Sequence, residues 1–215
     1  MTEIFDRVLP PKSKNVLQYL RKLPLSSFYL AGGTGLALQI GHRISIDFDF
    51  FSDSDPLDAA NRLEILSALT KAGAKFNIET DKDRTLQLAI EGVRVSFFNY
   101  PYPMLDGLVQ LECFKTASLK DIGAMKLSAL INRGARRDFV DLFEIVNRIS
   151  LSELLECAGK KYSQTTDFPL QALKSLLYFD DAEPEPMPEL LVPISWSEIR
   201  SFFEREVPLL THRLL

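Results

Sequence analysis

The stretch that most constrains this chain runs from Phe28 to Phe51, FYLAGGTGLALQIGHRISIDFDFF. Its apolar opening, Phe28 to Ala31, predicts a short buried strand. Gly32-Gly33 breaks that strand, and Thr34 is expected to cap a short helix that reaches Ile40 and ends at Gly41. From Ile44 to Phe51, apolar Ile46, Phe48 and Phe50 alternate with Ser45, Asp47 and Asp49, the period of a second strand.

This order of elements carries chemistry. Asp47 and Asp49 are two residues apart on the expected strand, so both carboxylates leave one face with Cα atoms roughly 6.7 Å apart. Carboxylates that close repel each other and gain from a shared divalent cation. The helix between the strands is only ~10 Å long, which lets the second strand return beside the first. Gly32 and Gly33 then sit near the acids, with bare backbone N–H groups at a helix N-terminus, an anion site. A phosphate cradle beside a pair of magnesium carboxylates is the minimum equipment for nucleotide phosphoryl transfer. An Asp-x-Asp by itself most often marks a solvated strand face, and a Gly-Gly turn by itself says less. Strand, Gly-Gly, helix and Asp-x-Asp strand in succession are far more specific.

That succession resembles the signature of the polymerase-β-like nucleotidyltransferases, Gly-Gly or Gly-Ser followed at a set interval by Asp-x-Asp. Within that superfamily AGGTGLALQIGHRISIDFDFF is similar to the AbiEii/AbiGii toxin family, the nucleotidyltransferase-like half of bacterial abortive-infection and toxin–antitoxin pairs. The resemblance implies an α+β fold, a small mixed sheet flanked by helices with a helical C-terminal lobe. It implies a magnesium (or manganese) dependent enzyme that moves NMP from an NTP to an acceptor hydroxyl on RNA, such as a tRNA end, or on a protein. A cognate antitoxin is the implied partner. Asp47 and Asp49 would hold the metal, and Gly32, Gly33 and Thr34 would receive the phosphates.

A second informative stretch begins near Asp121. On an expected helix over 118–132, Lys126 has Ile122, Gly123, Ala129 and Leu130 as its neighbours three and four positions away, all apolar or small. Burying an unpaired ammonium is costly, so Lys126 either snorkels outward along its stem or meets an anion at the end of a cleft. Spacing does not choose between the two. DIGAMKLSALINRGARRDFVDLFEI is similar to the second signature of the same family. The resemblance implies Lys126 at the nucleotide phosphates and Asp138 in the active site. Arg133, Arg136 and Arg137 form the densest basic cluster, and Arg133 lies two turns from Lys126, so one helix can present both to one ligand. Arg133 and Arg137 are therefore phosphate-binding candidates, and ion pairing with Asp138, Asp141 and Glu144 is the alternative. Asp138 in a helix first turn is also favoured by the helix dipole.

Two departures from the family pattern stand out. Gly33 occupies a position where many relatives have serine, so one hydroxyl donor is missing. The expected strand Val93 to Phe98 presents Arg94 and Ser96, and no acid, where two-metal transferases of this kind carry a third carboxylate. One Mg²⁺ on Asp47 and Asp49, with further ligands from the nucleotide, is the expectation, and Asp138 is the substitute base or acceptor-positioning group. Two rival readings follow: a catalytically inactive nucleotide-binding module, and an interaction protein whose acids are a solvated face.

The rest of the chain sets the frame. Residues 1–13 are polar and a helix follows from Lys14 to Leu23. Leu57 to Ala72 reads as a helix started by the turn 52–56, with Leu63, Leu66 and Leu69 on one face. Strands Phe76 to Glu79, Thr85 to Ile90 and Val93 to Phe98 form an antiparallel meander broken at Asp81–Asp83 and at Glu91-Gly92. Helices are expected at 118–132, 136–148, 151–161 and 169–178. Proline-rich 182–193 reads as a linker to a last helix with Ser195 and Glu198 as a capping box. That helix is expected to fold back on its own domain through Trp196, Ile199 and Phe203. The organisation is a nucleotidyltransferase core over 1–110, a helical lobe completing the site over 111–181, and a linker with a closing helix over 182–215. At 215 residues the chain suits one medium domain or two lobes. No apolar run approaches the ~18 residues of a membrane helix, and the N-terminus lacks a signal-peptide core. Cys113 and Cys157 imply no disulfide framework and fit a cytoplasmic protein. His42 and His212 are too few for a histidine-based zinc site. A net charge of −4 argues against a dedicated nucleic-acid surface, though not against a local basic patch.

Overall fold

The computed structural model describes residues 7–214. The first six residues of the expected polar stretch, and the His212 side chain, lie outside the described residues. The chain forms two compact units, one running to Pro103 together with Gly107–Ala117, the other comprising Met104–Asp106 and everything from Ser118 onward.

The first unit is built on a seven-stranded mixed sheet. Its elements in order are α1 (Pro11–Leu20), β1 (Tyr29–Ala31), α2 (Gly32–Ile40), β2 (Phe48–Ser52), α3 (Ala59–Lys71), β3 (Phe76–Lys82), β4 (Thr85–Ile90), β5 (Val93–Asn99), β6 (Val109–Gln110) and β7 (Lys115–Thr116). The strands lie in the order β3-β4-β5-β2-β1-β7-β6. The short α2 brings β2 back antiparallel to β1, with Ala31 opposite Asp49. The meander β3-β4-β5 joins β2 through a parallel pairing of β5. Strand alternation sends Leu30, Phe48, Phe50, Leu86, Leu88, Val95 and Phe97 into the core, all essentially without solvent contact. The Phe50 ring stacks on Phe97 at 5.4 Å and meets Phe114 edge-on at 5.3 Å. The pairing of β7 with β1 was not expected from local pattern, because a two-residue strand has no period to read.

Several boundaries differ from expectation for identifiable reasons. β2 begins at Phe48 rather than Ile44, since the backbone before it is engaged elsewhere. Ser45 donates its N–H to the Val8 carbonyl at 3.1 Å, and the Ser13 hydroxyl donates to the Ile46 carbonyl at 2.8 Å. Ile46 is accordingly 53% exposed, and Val8 and Leu9, in a stretch read as polar, are core residues. α3 is capped by Asp58, whose carboxylate accepts from the N–H groups of Ala60 and Asn61 at 2.9 and 3.0 Å. Its buried stripe is Arg62, Ile65 and Leu69, and Leu63 faces solvent. Arg62 ties Asp81 and Asp83 at 2.5 and 3.0 Å, which extends β3 and moves the turn to Asp83-Arg84.

The second unit is helical: α4 (Leu119–Arg133), α5 (Arg136–Val146), α6 (Leu151–Lys161), α7 (Phe168–Ser175) and α8 (Trp196–Leu214). Ser118 and Ser150 cap α4 and α6, and Gly134 closes α4 in the left-handed region at φ +56°. At α8 the Ser195 hydroxyl accepts from the Glu198 N–H at 3.2 Å, and the Ser195 N–H donates to Glu198 at 2.8 Å, a reciprocal capping box. α8 folds back on its own unit, with Ile199 and Phe203 buried and the Phe203 ring 5.9 Å from Phe139. The proline-rich segment before it is strapped down, since Arg136 donates to the carbonyls of Ala182 and Glu183 at 2.9 and 2.7 Å. Among the described residues no helix is long and apolar enough to cross a membrane.

Candidate functional site

The N-terminus of α2 has no side-chain cap from its own N-cap residue. Its N-cap is Ala31, which has no side-chain acceptor to offer the first-turn N–H groups. Gly32 opens the helix at φ +62°, and a Cβ there would stand 2.9 Å from Asp49 Oδ2. Only glycine therefore permits both the backbone conformation and the approach of the Asp49 carboxylate to the turn. Thr34 is not the cap. It lies inside the first turn, 2% exposed, with its hydroxyl 2.7 Å from Ser45 Oγ and donating to the Asp47 carbonyl. Its side chain thus fixes the backbone that carries Asp47, and only its N–H remains for an anion. Asp47 precedes β2 by one residue, yet the alternation holds: Phe48 is fully buried between two half-buried acids.

Two residues of this region received no role from the sequence: Arg43, and Ser96, noted there only for not being an acid. Arg43 is 6% exposed, and a Cβ on Gly33 would overlap its Nη2 and lie 3.4 Å from Ser45 Oγ. The guanidinium therefore occupies the space a larger residue at 33 would need. The signal was available as a lone arginine between Gly41 and Asp47, without a period to place it. Ser96 is the other. It is the register partner of Asp49 in the parallel β2–β5 pair, it is 1% exposed, and its hydroxyl has no hydrogen-bond partner among the described residues. Among the described residues no group of three or more His, Cys, Asp or Glu side chains is placed to hold a metal. Asp47, Asp49 and the unpartnered Ser96 hydroxyl are all oxygen donors, the type that suits a hard divalent cation.

In the second unit Lys126 does not snorkel. It is 4% exposed, and its Nζ lies 2.8 Å from Asp138 Oδ1 and 2.5 Å from Asp141 Oδ2, two carboxylates without solvent exposure. Arg133 grips the same Asp138 through Nε at 2.8 Å and Nη2 at 2.9 Å, while half of its side chain stays exposed. Burial pushes the Asp138 carboxyl upward, but the charges of Lys126 and Arg133 and their hydrogen bonds outweigh it and hold the group below its ordinary value. Arg137 is exposed on α5, and Arg136 lies over the Trp196 ring at 4.7 Å. A second buried pair, Lys161 with Asp121 at 2.8 Å, fastens the chain at 104–106, since Asp121 also accepts from the N–H groups of Leu105 and Asp106.

The geometry finds counterparts among known proteins. The family described as "Nucleotidyl transferase AbiEii toxin, Type IV TA system" matches residues 18–213. An uncharacterized protein of Aquifex aeolicus (strain VF5) is 36% identical over 208 residues, covering 94% of this chain and 97% of its own. Among solved structures, MenT4, a nucleotidyltransferase toxin from Mycobacterium tuberculosis H37Rv, is similar with a TM-score of 0.62 at 17% identity, over 93% of this chain and 82% of that one. JHP933 from Helicobacter pylori gives a TM-score of 0.50 at 16% identity, over 96% and 97% of the two chains. The two structures establish the shared α+β nucleotidyltransferase fold. With the family match spanning nearly the whole chain and a relative of this identity beside it, the protein belongs to the AbiEii family of nucleotidyltransferase toxins.

Proposed function

We propose that this toxin transfers a nucleoside monophosphate from an NTP to an acceptor hydroxyl, using Asp47 and Asp49 to hold a divalent cation and the open α2 N-terminus to receive the triphosphate. The observation that carries the reading is the close approach of Asp49 to Gly32, which sets a carboxylate against an uncapped helix start. Mg²⁺ or Mn²⁺ would supply Lewis-acid polarisation and charge neutralisation at the phosphates. The N–H groups of Gly32, Gly33 and Thr34 would bind phosphate oxygens, and the Thr34–Ser45 pair would keep Asp47 in position. Arg43 brings positive charge to the Gly33 side of the turn. In the reaction the acceptor oxygen bonds to the α-phosphorus, the bond to pyrophosphate breaks, and the acceptor proton passes to water.

For Lys126, Arg133 and Arg137 the family's second signature supports a part in neutralising phosphate charge. Asp138 was expected as the substitute base or acceptor-positioning group. A carboxylate that accepts from two cations and is held below its ordinary value is a weak proton acceptor, so we assign it instead to positioning Lys126 and Arg133. The family's toxin–antitoxin description supports a cognate antitoxin as partner, and in this reading the acceptor hydroxyl belongs to an RNA, such as a tRNA end, or to a protein. Such acceptors, together with two free cysteines, support action in the cytoplasm. A nucleotide-binding module without catalysis is the second reading, favoured by the absence of a three-acid group among the described residues.

The test is calorimetric titration of the four nucleoside triphosphates with Mg²⁺ into wild type and the Asp47→Asn/Asp49→Asn variant, followed by assay for pyrophosphate release. Metal-dependent binding by wild type alone with pyrophosphate released is the expected result. Binding without release selects the module, and no binding by folded wild type refutes both.

A further inference from the structure

One row of the sheet runs Ala31, Asp49, Ser96 and Gln87 across β1, β2, β5 and β4. Asp49 and Ser96 are register partners, so their side chains leave the same face from strands about 4.8 Å apart. Ser96 stands where the third acid is missing, and its buried hydroxyl finds no partner among the described residues. Elsewhere in this row stand Ala31, which carries no polar group, and the half-buried Gln87, which makes no hydrogen bond to the Ser96 hydroxyl. A buried hydroxyl is disfavoured without a partner, and a ligand shared with Asp49 would complete it.

We propose that Ser96 Oγ is the third protein ligand of the cation held by Asp47 and Asp49. The proposal rests on the cation reading given above and adds to it the identity of a ligand. A hydroxyl is a competent hard-oxygen ligand for Mg²⁺ and Mn²⁺, and it is neutral. The protein set then carries two negative charges rather than three, which matches one divalent cation and leaves no surplus charge to retain a second.

The experiment is titration of the full chain with Mn²⁺ alone, with free Mn²⁺ read by electron paramagnetic resonance, for wild type, Asp49→Asn, Ser96→Ala and Ser96→Asp. Asp49→Asn is expected to abolish binding, and Ser96→Ala to weaken it ~10-fold, the scale seen when a metal site loses a supporting group. Ser96→Asp should bind Mn²⁺ more tightly than wild type, because ligand charge count sets affinity for hard cations. Ser96→Ala removes a stranded hydroxyl, so its thermal midpoint should not fall below that of wild type. If it does, Ser96→Cys replaces it, a near-isosteric side chain whose soft sulfur is a poor Mn²⁺ ligand. Wild-type binding that is lost in Asp49→Asn and unchanged in the Ser96 variants overturns the role of Ser96 and leaves the cation reading intact. No Mn²⁺ binding by wild type overturns both.

Discussion

Replacing Lys126 by methionine keeps most of the side-chain volume and removes the charge that Asp138 and Asp141 share. Both acids have no solvent exposure, so neither can recover the lost partner from water. Asp138 retains the Arg133 fork at 2.8 and 2.9 Å, whereas Asp141 loses a partner at 2.5 Å. Breaking a buried pair on one side costs about 3–5 kcal/mol, and at ~2–4 °C per kcal/mol for a chain of this size the thermal midpoint should fall roughly 6–20 °C. Adding Asp141→Asn removes the negative charge that Lys126 had balanced, so the double variant should be more stable than Lys126→Met alone. The acid limb moves too. Asp138 is held below its ordinary value when folded, so it contributes stability that is complete above the unfolded carboxyl range, near pH 4, and is lost as pH falls through the depressed folded value. Without Lys126, that loss should begin at a higher pH. Urea unfolding at neutral pH and an acid titration followed by circular dichroism read both effects. A loss under ~1 kcal/mol, or a double variant no more stable than the single one, would refute the reasoning.

Other perturbations follow from the same structure. Gly32→Ala forces a Cβ into a left-handed residue, at about 1–2 kcal/mol, and sets it 2.9 Å from Asp49 Oδ2, so nucleotide binding measured calorimetrically should fall more than urea stability. Asp121→Ala removes the buried carboxylate that pairs with Lys161 and accepts from the Leu105 and Asp106 N–H groups, so a loss of about 3–5 kcal/mol should come with faster amide exchange at 105 and 106. Phe203→Ala removes a buried ring packed on Phe139, at about 3–5 kcal/mol, and limited proteolysis should then open the chain before α8. An unchanged digestion pattern would show that α8 is held by other contacts.

The Gly-Gly turn, the short helix and the returning strand are legible in the sequence because each obeys a local rule: a broken apolar run, a left-handed glycine, an alternating pattern. The α8 capping box is legible for the same reason. What was not legible depends on partners distant along the chain. Asp47 falls just outside β2 because Val8 and Ser13 take the backbone groups at Ser45 and Ile46. Thr34 turns inward because Ser45 is there to meet it. Leu63 faces solvent because Arg62, paired with Asp81 and Asp83, fills the buried stripe in its place. For Lys126 the sequence correctly posed a choice between water and an anion, and two carboxylates on the following helix decide it.

The two departures from the family pattern are better understood as a pair than as separate losses. Glycine at 33 reads, in sequence, as a missing hydroxyl donor. In the structure the absent Cβ is what admits the Arg43 guanidinium, since any side chain there would overlap Nη2. A serine offers one neutral donor, whereas arginine brings a positive charge, here with Nη1 donating to the Ile44 carbonyl at 3.0 Å. On the neighbouring strand β5, Ser96 puts a neutral oxygen beside Asp49 where an acid would have added charge. Under the proposed reading, positive charge is gained on the side that meets phosphate and negative charge is withheld on the side that meets metal. Two carboxylates and a hydroxyl balance a single divalent cation, and the arginine with the α2 N–H groups answers the remaining charge of the triphosphate. A three-acid site would invite a second cation, and under the same proposal this one would work with a single cation.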